Sequence, residues 1–151
     1  MKNLKHISLL LAFFTITLAA QMDDIEFRRY TTSDGLSTNW NINAIAQDKD
    51  GYIWIATSEG LNRFDGYDFK VFRYDPLNSN SLRTNNVTSL LIDSKNRFWL
   101  ASFGAPNGGI SQWNPKTETF INYVPENSDT NYLFPWALTK LYEDRSGNIW
   151  V

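Results

Sequence analysis

The sequence predicts an all-β chain that forms part of a β-propeller, with about two complete four-stranded antiparallel blades and fragments of others. The first observation is a motif, D-x-x-(G/N)-x-(I/F)-W, which occurs at residues 48–54, 93–99 and 144–150. The second is that its copies are 45 and then 51 residues apart, a spacing typical of propeller blades. The third is that short β-rich runs alternate with turn residues inside each repeat.

The six additional residues of the second interval enter at two points. Four lie between the second and third predicted strands, and two lie between the third and fourth. The register is restored afterwards, since Val87 follows Phe69 by 18 positions and Leu138 follows Phe120 by the same number. Insertions confined to loops indicate strands of fixed length, as repeated blades require.

The predicted strands of the first repeat are Ile42 to Gln47, Tyr52 to Thr57, Gly60 to Phe64 and Phe69 to Tyr74. Asp48 favours the first position of a turn, and Gly51 suits a position with positive φ. The second strand is apolar on both faces, which is typical of a strand covered by a neighbour on each side. We therefore predict that the motif is structural and that its tryptophans fill the gaps between blades. The structural residues are Asp48, Gly51, Trp54, Asp93, Trp99, Asp144, Gly147 and Trp150.

The predicted division of the chain follows this repeat. Residues 1–20 combine Lys2 and Lys5 with a 12-residue apolar run, typical of a secretory signal peptide and too short to span a membrane. Residues 21–41 are expected to supply the outer, closing strand of a blade completed elsewhere, because 27–30 matches the fourth-strand pattern. The remaining predicted parts are a blade at 42–74, a connection at 75–86, a blade at 87–123, and a connection with the start of a truncated third blade at 124–151. We interpret the chain as the N-terminal fragment of a propeller.

Composition excludes several functions. Removal of the predicted signal peptide takes away Lys2, Lys5 and the only histidine, His6, and leaves 12 Lys and Arg against 16 Asp and Glu. The resulting net charge of −4 disfavours nucleic acid as a partner. Without Cys or His, residues 21–151 cannot build a thiolate or imidazole zinc site, or a Ser-His or Cys-His nucleophile. We expect no cofactor, metal or catalytic residue in this segment.

A ligand would bind where the innermost strands begin, around the propeller axis. Trp40 and Trp136 precede first strands at equivalent places, and Asn41 and Asn86 lie in the same predicted set of loops. An exposed Trp beside amides suits a sugar, because the ring stacks on C–H faces and amides bond hydroxyls. The alternative is that these tryptophans seal neighbouring blades and that the asparagines serve their turns.

Four segments carry a family resemblance: Thr32–Ser37, Gln47–Thr57, Gly60–Gly66 and Glu143–Val151. Over about residues 27–151 the chain resembles the two-component regulator propeller family, although the second copy has Asn96 in place of Gly and an insertion at 103–107. The resemblance implies the periplasmic sensor region of a Bacteroidetes hybrid histidine kinase, anchored in the inner membrane and dimeric. It implies an oligosaccharide ligand, the remaining blades of the same propeller as partners, and a kinase outside this chain.

Two other functions stay open. One is a glycan-active propeller enzyme like the sialidases, whose repeated aspartate box also ends in an aromatic residue. In that box, however, Asp stands one position closer to both Gly and Trp than the three and six positions found here. The other is a protein-interaction scaffold that binds no small ligand.

Overall fold

The computed structural model describes residues 26–104, 108–123 and 138–151. These residues form two four-stranded antiparallel sheets, one two-stranded sheet and a single 3-10 turn at Thr32–Asp34. The predicted all-β fold of propeller blades is therefore confirmed. The predicted signal peptide lies outside the described residues. No helix in the described part of the chain is long and apolar enough to cross a membrane.

The strands follow one another in sequence order across each sheet. The first sheet contains β1 (Ile42–Gln47), β2 (Ile53–Thr57), β3 (Gly60–Phe64) and β4 (Phe69–Phe72). The second contains β5 (Val87–Ile92), β6 (Phe98–Ser102), β7 (Gly109–Asn114) and β8 (Thr119–Tyr123). The third pairs β9 (Tyr142–Glu143) with β10 (Ile149–Trp150). The sheets pack with β1 beside β5, so the first strand of each sheet is innermost and the fourth is at the outer edge.

An aromatic core lies between the first and second sheets. Trp54 is 1% exposed, and its ring centroid lies 4.9 Å from that of Phe98 and 5.2 Å from that of Trp113. Trp99, one repeat later, is partly buried against a cluster that includes Leu138 and Leu141, which precede the third sheet. Trp150, another repeat later, is 61% exposed. Each covered motif tryptophan thus packs towards the sheet that follows it.

The motif aspartate closes its own turn. Oδ1 of Asp48 accepts the backbone N–H groups of Asp50 (2.9 Å) and Tyr52 (3.0 Å), and Oδ2 accepts Nε1–H of Trp54 (2.7 Å). The two other copies repeat this pattern, with Asp-to-Trp distances of 2.9 and 2.8 Å. The carboxylate therefore fixes both the turn and the ring that fills the gap between sheets.

These hydrogen bonds favour the ionised carboxylate. Burial alone would raise the pKa of Asp93, but donors from the Trp99 ring and from the backbone and guanidinium of Arg97 outweigh it, so the pKa lies below its ordinary value. Donation from the Asn148 side chain and the Trp150 ring lowers the pKa of Asp144 to about 2. Both groups stay ionised across the physiological range.

The segment before β1 packs on the first sheet without forming a strand. The Tyr30 ring centroid lies 4.9 Å from that of Phe64 and 5.6 Å from that of Phe69, whereas Phe27 is 90% exposed. A fourth strand requires a third strand beside it, and none of the described strands lies beside residues 26–30. The closing strand expected within 21–41 therefore stays a prediction.

The connection between the first two sheets covers the outer edge of the second. The backbone N–H of Phe120 in β8 donates to the carbonyl of Asn80 (2.8 Å). Nδ2 of Asn122 donates to the carbonyls of Ser79 and Ser81, both at 2.9 Å. Leu82 follows and is 2% exposed. The connection thereby pairs polar groups that an open edge strand would leave exposed.

Replacement of Gly60 with alanine is expected to destabilise the first sheet by at least about 2 kcal/mol, since the residue has φ +124° and an added Cβ would lie 2.6 Å from the carbonyl oxygen of Phe72. Gly66→Ala is the control, because φ there is +102° but no atom lies within 4 Å of the added Cβ. Urea denaturation, monitored by hydrogen exchange of the strand amides, measures the stability that each variant loses. Equal losses would show that the contact with Phe72 contributes nothing.

Candidate functional site at the axial ends of the first strands

The first strands of the two blades begin side by side. Nδ2 of Asn43 in β1 donates to the carbonyl of Val87, the first residue of β5, at 2.7 Å. The residues just before these strands therefore meet at one end of the sheets, next to the propeller axis. We define the axial surface as Trp40, Asn41, Asn86 and, at the tip of the β2–β3 turn, Glu59.

Trp40 is presented to solvent on a fixed backbone. It is 78% exposed, and its backbone N–H donates to Oγ1 of Thr38 (3.2 Å). Within the described ranges its ring makes no aromatic contact and its Nε1–H has no acceptor. A ring sealing the first two sheets would be buried as Trp54 is. Within the described residues the Trp40 ring therefore does not seal the first two sheets and faces solvent.

The asparagines of these loops divide into two groups. Oδ1 of Asn39 accepts the N–H of Thr32 (2.8 Å), and Oδ1 of Asn85 accepts the N–H of Tyr74 (2.8 Å). These two amides serve their turns, as the alternative interpretation expects. The side chains of Asn41 and Asn86 have no hydrogen-bond partner among the described residues and can bond a ligand.

Backbone geometry holds both free amides in place. Asn41 has φ +53°, in the left-handed region that Asn tolerates better than most residues. The N–H of Asn86 donates to Oγ1 of Thr84 (3.0 Å), and its carbonyl accepts the N–H of Phe103 (2.8 Å). Oγ1 of Thr84 thus accepts the N–H of Asn86 in the same way that Oγ1 of Thr38 accepts the N–H of Trp40. The two threonines are 46 residues apart, one more than the 45-residue repeat, so the repeat register does not reveal the shared turn.

Glu59, in the loop between β2 and β3, adds a charged group that was not among the four predicted ligand residues. The N–H of Gly60 donates to the carbonyl of Asn85 at 2.7 Å, which brings the β2–β3 turn against the segment that contains Asn86. Glu59 is exposed, and its carboxylate has no partner in the described part of the chain. The axial surface therefore combines an aromatic ring, two free amides and one carboxylate. Trp136, the fourth predicted ligand residue, lies outside the described residues.

The side chains of the axial surface are suited to binding a ligand. The Trp40 ring offers an apolar face, and the amides of Asn41 and Asn86 offer both donors and acceptors to hydroxyl groups. In the ranges that the structure describes, no three His, Cys, Asp or Glu side chains converge as a metal site would require. The arrangement fits an uncharged, hydroxyl-rich ring better than a phosphate, for which it supplies no cationic side chain.

Comparisons with known proteins show which sequences and folds this chain is similar to. Residues 35–59 and 81–104 match the family described as two component regulator propeller. These two segments contain Trp40, Asn41 and Asn86. Over 83 residues the chain is 42% identical to histidine kinase P4 of Formosa agariphila. The matched region covers 54% of this chain and 6% of that kinase.

Solved structures show the same fold. The extracellular domain of a hybrid two-component system from B. thetaiotaomicron matches 82% of this chain with a TM-score of 0.70 and 29% identity. A second such domain from the same organism matches 83% with a TM-score of 0.64 and 22% identity. The chain spans 17% of each domain. It therefore corresponds to a small part of each of these proteins.

Proposed function

We infer that this chain, which carries two-component regulator propeller repeats, is a segment of the extracellular sensor region of a hybrid two-component system. The observation that carries this conclusion is its likeness to such an extracellular domain, at a TM-score of 0.70 over 82% of the chain. The kinase lies elsewhere in proteins of this kind, and the segment itself contributes to detection of a signal. Export by residues 1–20, a periplasmic location, an inner-membrane anchor and dimerisation of the receptor belong to the same proposal.

We propose an oligosaccharide as the ligand and the axial surface as part of its binding site. Support comes from Trp40, which is 78% exposed, and from the amides of Asn41, its neighbour in the chain, and Asn86, which precedes β5 at the same end of the sheets. A pyranose ring would stack on the indole while its hydroxyls bond the amides. The remaining blades of the propeller would complete the site around the axis.

A glycan-cleaving role is less well supported by the geometry. Each oxygen of the Asp48, Asp93 and Asp144 carboxylates accepts hydrogen bonds from its own turn or motif tryptophan. Paired carboxylates of a glycosidase must instead face the scissile bond. The motif aspartates therefore act as structural groups, and the segment binds without catalysing.

Replacement of Trp40 with alanine is expected to weaken oligosaccharide binding about tenfold, since the stacking surface is lost. Tyr67→Ala is the matched control, because Tyr67 is 89% exposed but lies in the β3–β4 turn at the opposite end of the sheet. The measurement is calorimetric titration of a panel of neutral and acidic oligosaccharides into the protein expressed from its complete reading frame. Equal affinity of the two variants would show that Trp40 does not contribute to binding, and the axial surface would then not be the oligosaccharide site. Binding of no oligosaccharide by the unaltered protein would favour the interaction scaffold.

A further inference from the structure

The β5–β6 turn of the second sheet binds a carboxylate from the third sheet. The backbone N–H of Ser94 donates to one oxygen of the Glu143 carboxylate at 2.7 Å, and the Ser94 hydroxyl donates to the other at 2.6 Å. Glu143 directly precedes Asp144, the motif aspartate of its own sheet. The turn therefore presents an N–H group to the neighbouring sheet, and a carboxylate from that sheet accepts it.

The β1–β2 turn of the first sheet has the same geometry but lacks this acceptor. Its motif aspartate accepts the N–H groups two and four residues later, as the motif aspartate of the second sheet does. Lys49 occupies the position of Ser94. Ile92, which directly precedes the second motif aspartate, occupies the position of Glu143. An apolar side chain cannot accept a hydrogen bond, and the Lys49 N–H has no acceptor within the described ranges.

A cavity of about 210 Å³ lies between the first and second sheets at this place. Its lining includes Lys49 and Ile92, together with Trp54 and Trp113. At roughly 30 Å³ for each water in the liquid, the cavity has room for about seven waters or for a solute of similar size. It adjoins the β1–β2 turn, at the opposite end of the sheets from the axial surface. The cavity is thus separate from the proposed oligosaccharide site.

Two of the charged side chains that line the cavity are available to a ligand. Nζ of Lys49 and Oδ1 of Asp50 are 4.0 Å apart, too far for a hydrogen bond, and these side chains are 67% and 62% exposed. The two other charged side chains are engaged, Asp48 with its own turn and Arg97 with the motif aspartate of the second sheet. The cavity therefore offers one cation and one anion side by side.

We propose that this cavity binds a small α-amino acid. The carboxylate of the amino acid takes the place that the Glu143 carboxylate has in the next interface, where it accepts the Lys49 N–H and faces the Lys49 ammonium group. The ammonium group of the ligand pairs with Asp50, and its side chain lies against Ile92. A simple carboxylic acid would instead place a second negative charge beside Asp50. The inference does not depend on the axial surface or on its ligand.

The first test is calorimetric titration of glycine, L-alanine, L-serine and L-threonine into the protein expressed from its complete reading frame. At least one of them is expected to bind about tenfold more tightly than propionate, which lacks the ammonium group, and ethylamine, which lacks the carboxylate. Equal affinity for either analogue would show that one charged group is not recognised and would overturn the proposal. Binding of none of the four amino acids would overturn it as well.

The second test alters the cavity. Asp50→Asn is expected to weaken amino acid binding about tenfold, whereas Asp68→Asn, which removes an exposed carboxylate from the β3–β4 turn, should leave it unchanged. Ile92→Glu supplies a carboxylate at the position of Glu143 and is expected to abolish binding. Its melting midpoint is measured in parallel, because Ile92 packs against the core.

Unchanged affinity in Asp50→Asn, or in a folded Ile92→Glu, would contradict the proposal. Asp50 is exposed, so the first variant keeps the test decisive even if the second does not fold. The same variants should bind oligosaccharides as the unaltered protein does, since the axial surface lies at the other end of the sheets. Failure of the amino acid site is therefore distinguishable from failure of the proposed function.

Discussion

Replacement of Trp54 with alanine is expected to lower the free energy of unfolding by about 3–5 kcal/mol. The side chain is 1% exposed and lies in the gap between the first two sheets, with the Phe98 and Trp113 rings of the second sheet against it. Its removal opens a cavity that two β-sheets cannot close by a small shift. It also leaves Oδ2 of Asp48 without its ring donor. Hydrogen exchange of β2 and β6 during urea denaturation would measure the loss.

Trp40→Ala is the control for this loss. The same side chain is deleted, but from a ring that is 78% exposed, so stability should change by no more than about 0.5 kcal/mol. A small effect at Trp54 would mean that the two sheets separate readily. A large effect at Trp40 would mean that another part of the protein covers the axial surface. The pair therefore separates packing from ligand binding at two tryptophans.

Replacement of Asp93 with alanine is expected to cost about 3 kcal/mol, since hydrogen bonds to charged groups are worth more than neutral ones and the donors are left unpaired. Asp93 is 4% exposed. Its carboxylate accepts the backbone N–H of Arg97 (2.8 Å), the guanidinium of Arg97 and the Trp99 ring (2.9 Å). Asp50→Ala in the first turn is the control, because Asp50 is exposed and its carboxylate has only a 4.0 Å contact with Lys49.

The pH dependence provides a second measurement of the same residue. The pKa of Asp93 is lower in the folded protein than its ordinary value of 3.8, so its stabilising contribution is complete above pH 3.8 and is lost as the pH falls through the folded value. The unaltered protein should lose stability in this range more steeply than Asp93→Ala. If the stability of both proteins falls equally steeply at acid pH, the ionised Asp93 carboxylate does not stabilise the folded protein as the structure indicates.

The strands were predictable because local signals agreed. The start and end of β1 and β3 were predicted correctly, β2 begins one residue later at Ile53, and β4 ends two residues earlier at Phe72. Apolar runs bounded by Asp-x-x-Gly turns specify strand position without long-range information. The fold class was predictable for the same reason, since repetition of one unit implies that neighbouring units cover each other.

The contacts between sheets were not predictable, since they join residues far apart in sequence. Glu118 accepts a hydrogen bond from Arg63 at 2.9 Å and contacts Lys70, and it does so with φ +53°. Hydrogen bonds from Lys70 and then Arg63 hold the pKa of Glu118 below its ordinary value. Nothing in a turn sequence indicates which neighbouring sheet its side chain will reach.

The axial surface was predicted in part. The sequence places Trp40, Asn41 and Asn86 near one end of the sheets, because they precede first strands. It named Asn41 and Asn86 as ligand residues, but it could not show that the amides of Asn39 and Asn85 are the ones that accept a backbone N–H from a neighbouring segment. Turn asparagines and ligand-binding asparagines share the same local sequence.

The covered outer edge of the second sheet bears on how such genes could have grown by duplication. The strands alone span 87–123, but Asn80 and its neighbours complete the edge of β8, and Leu82 is buried. A copied segment that began at Val87 would arrive with an unsealed edge prone to pairing with other chains. A copied segment that began near Asn78 would include the residues that pair with its own edge strand. We therefore expect each duplicated gene segment to begin with the connection that precedes a blade and not with the first strand of the blade.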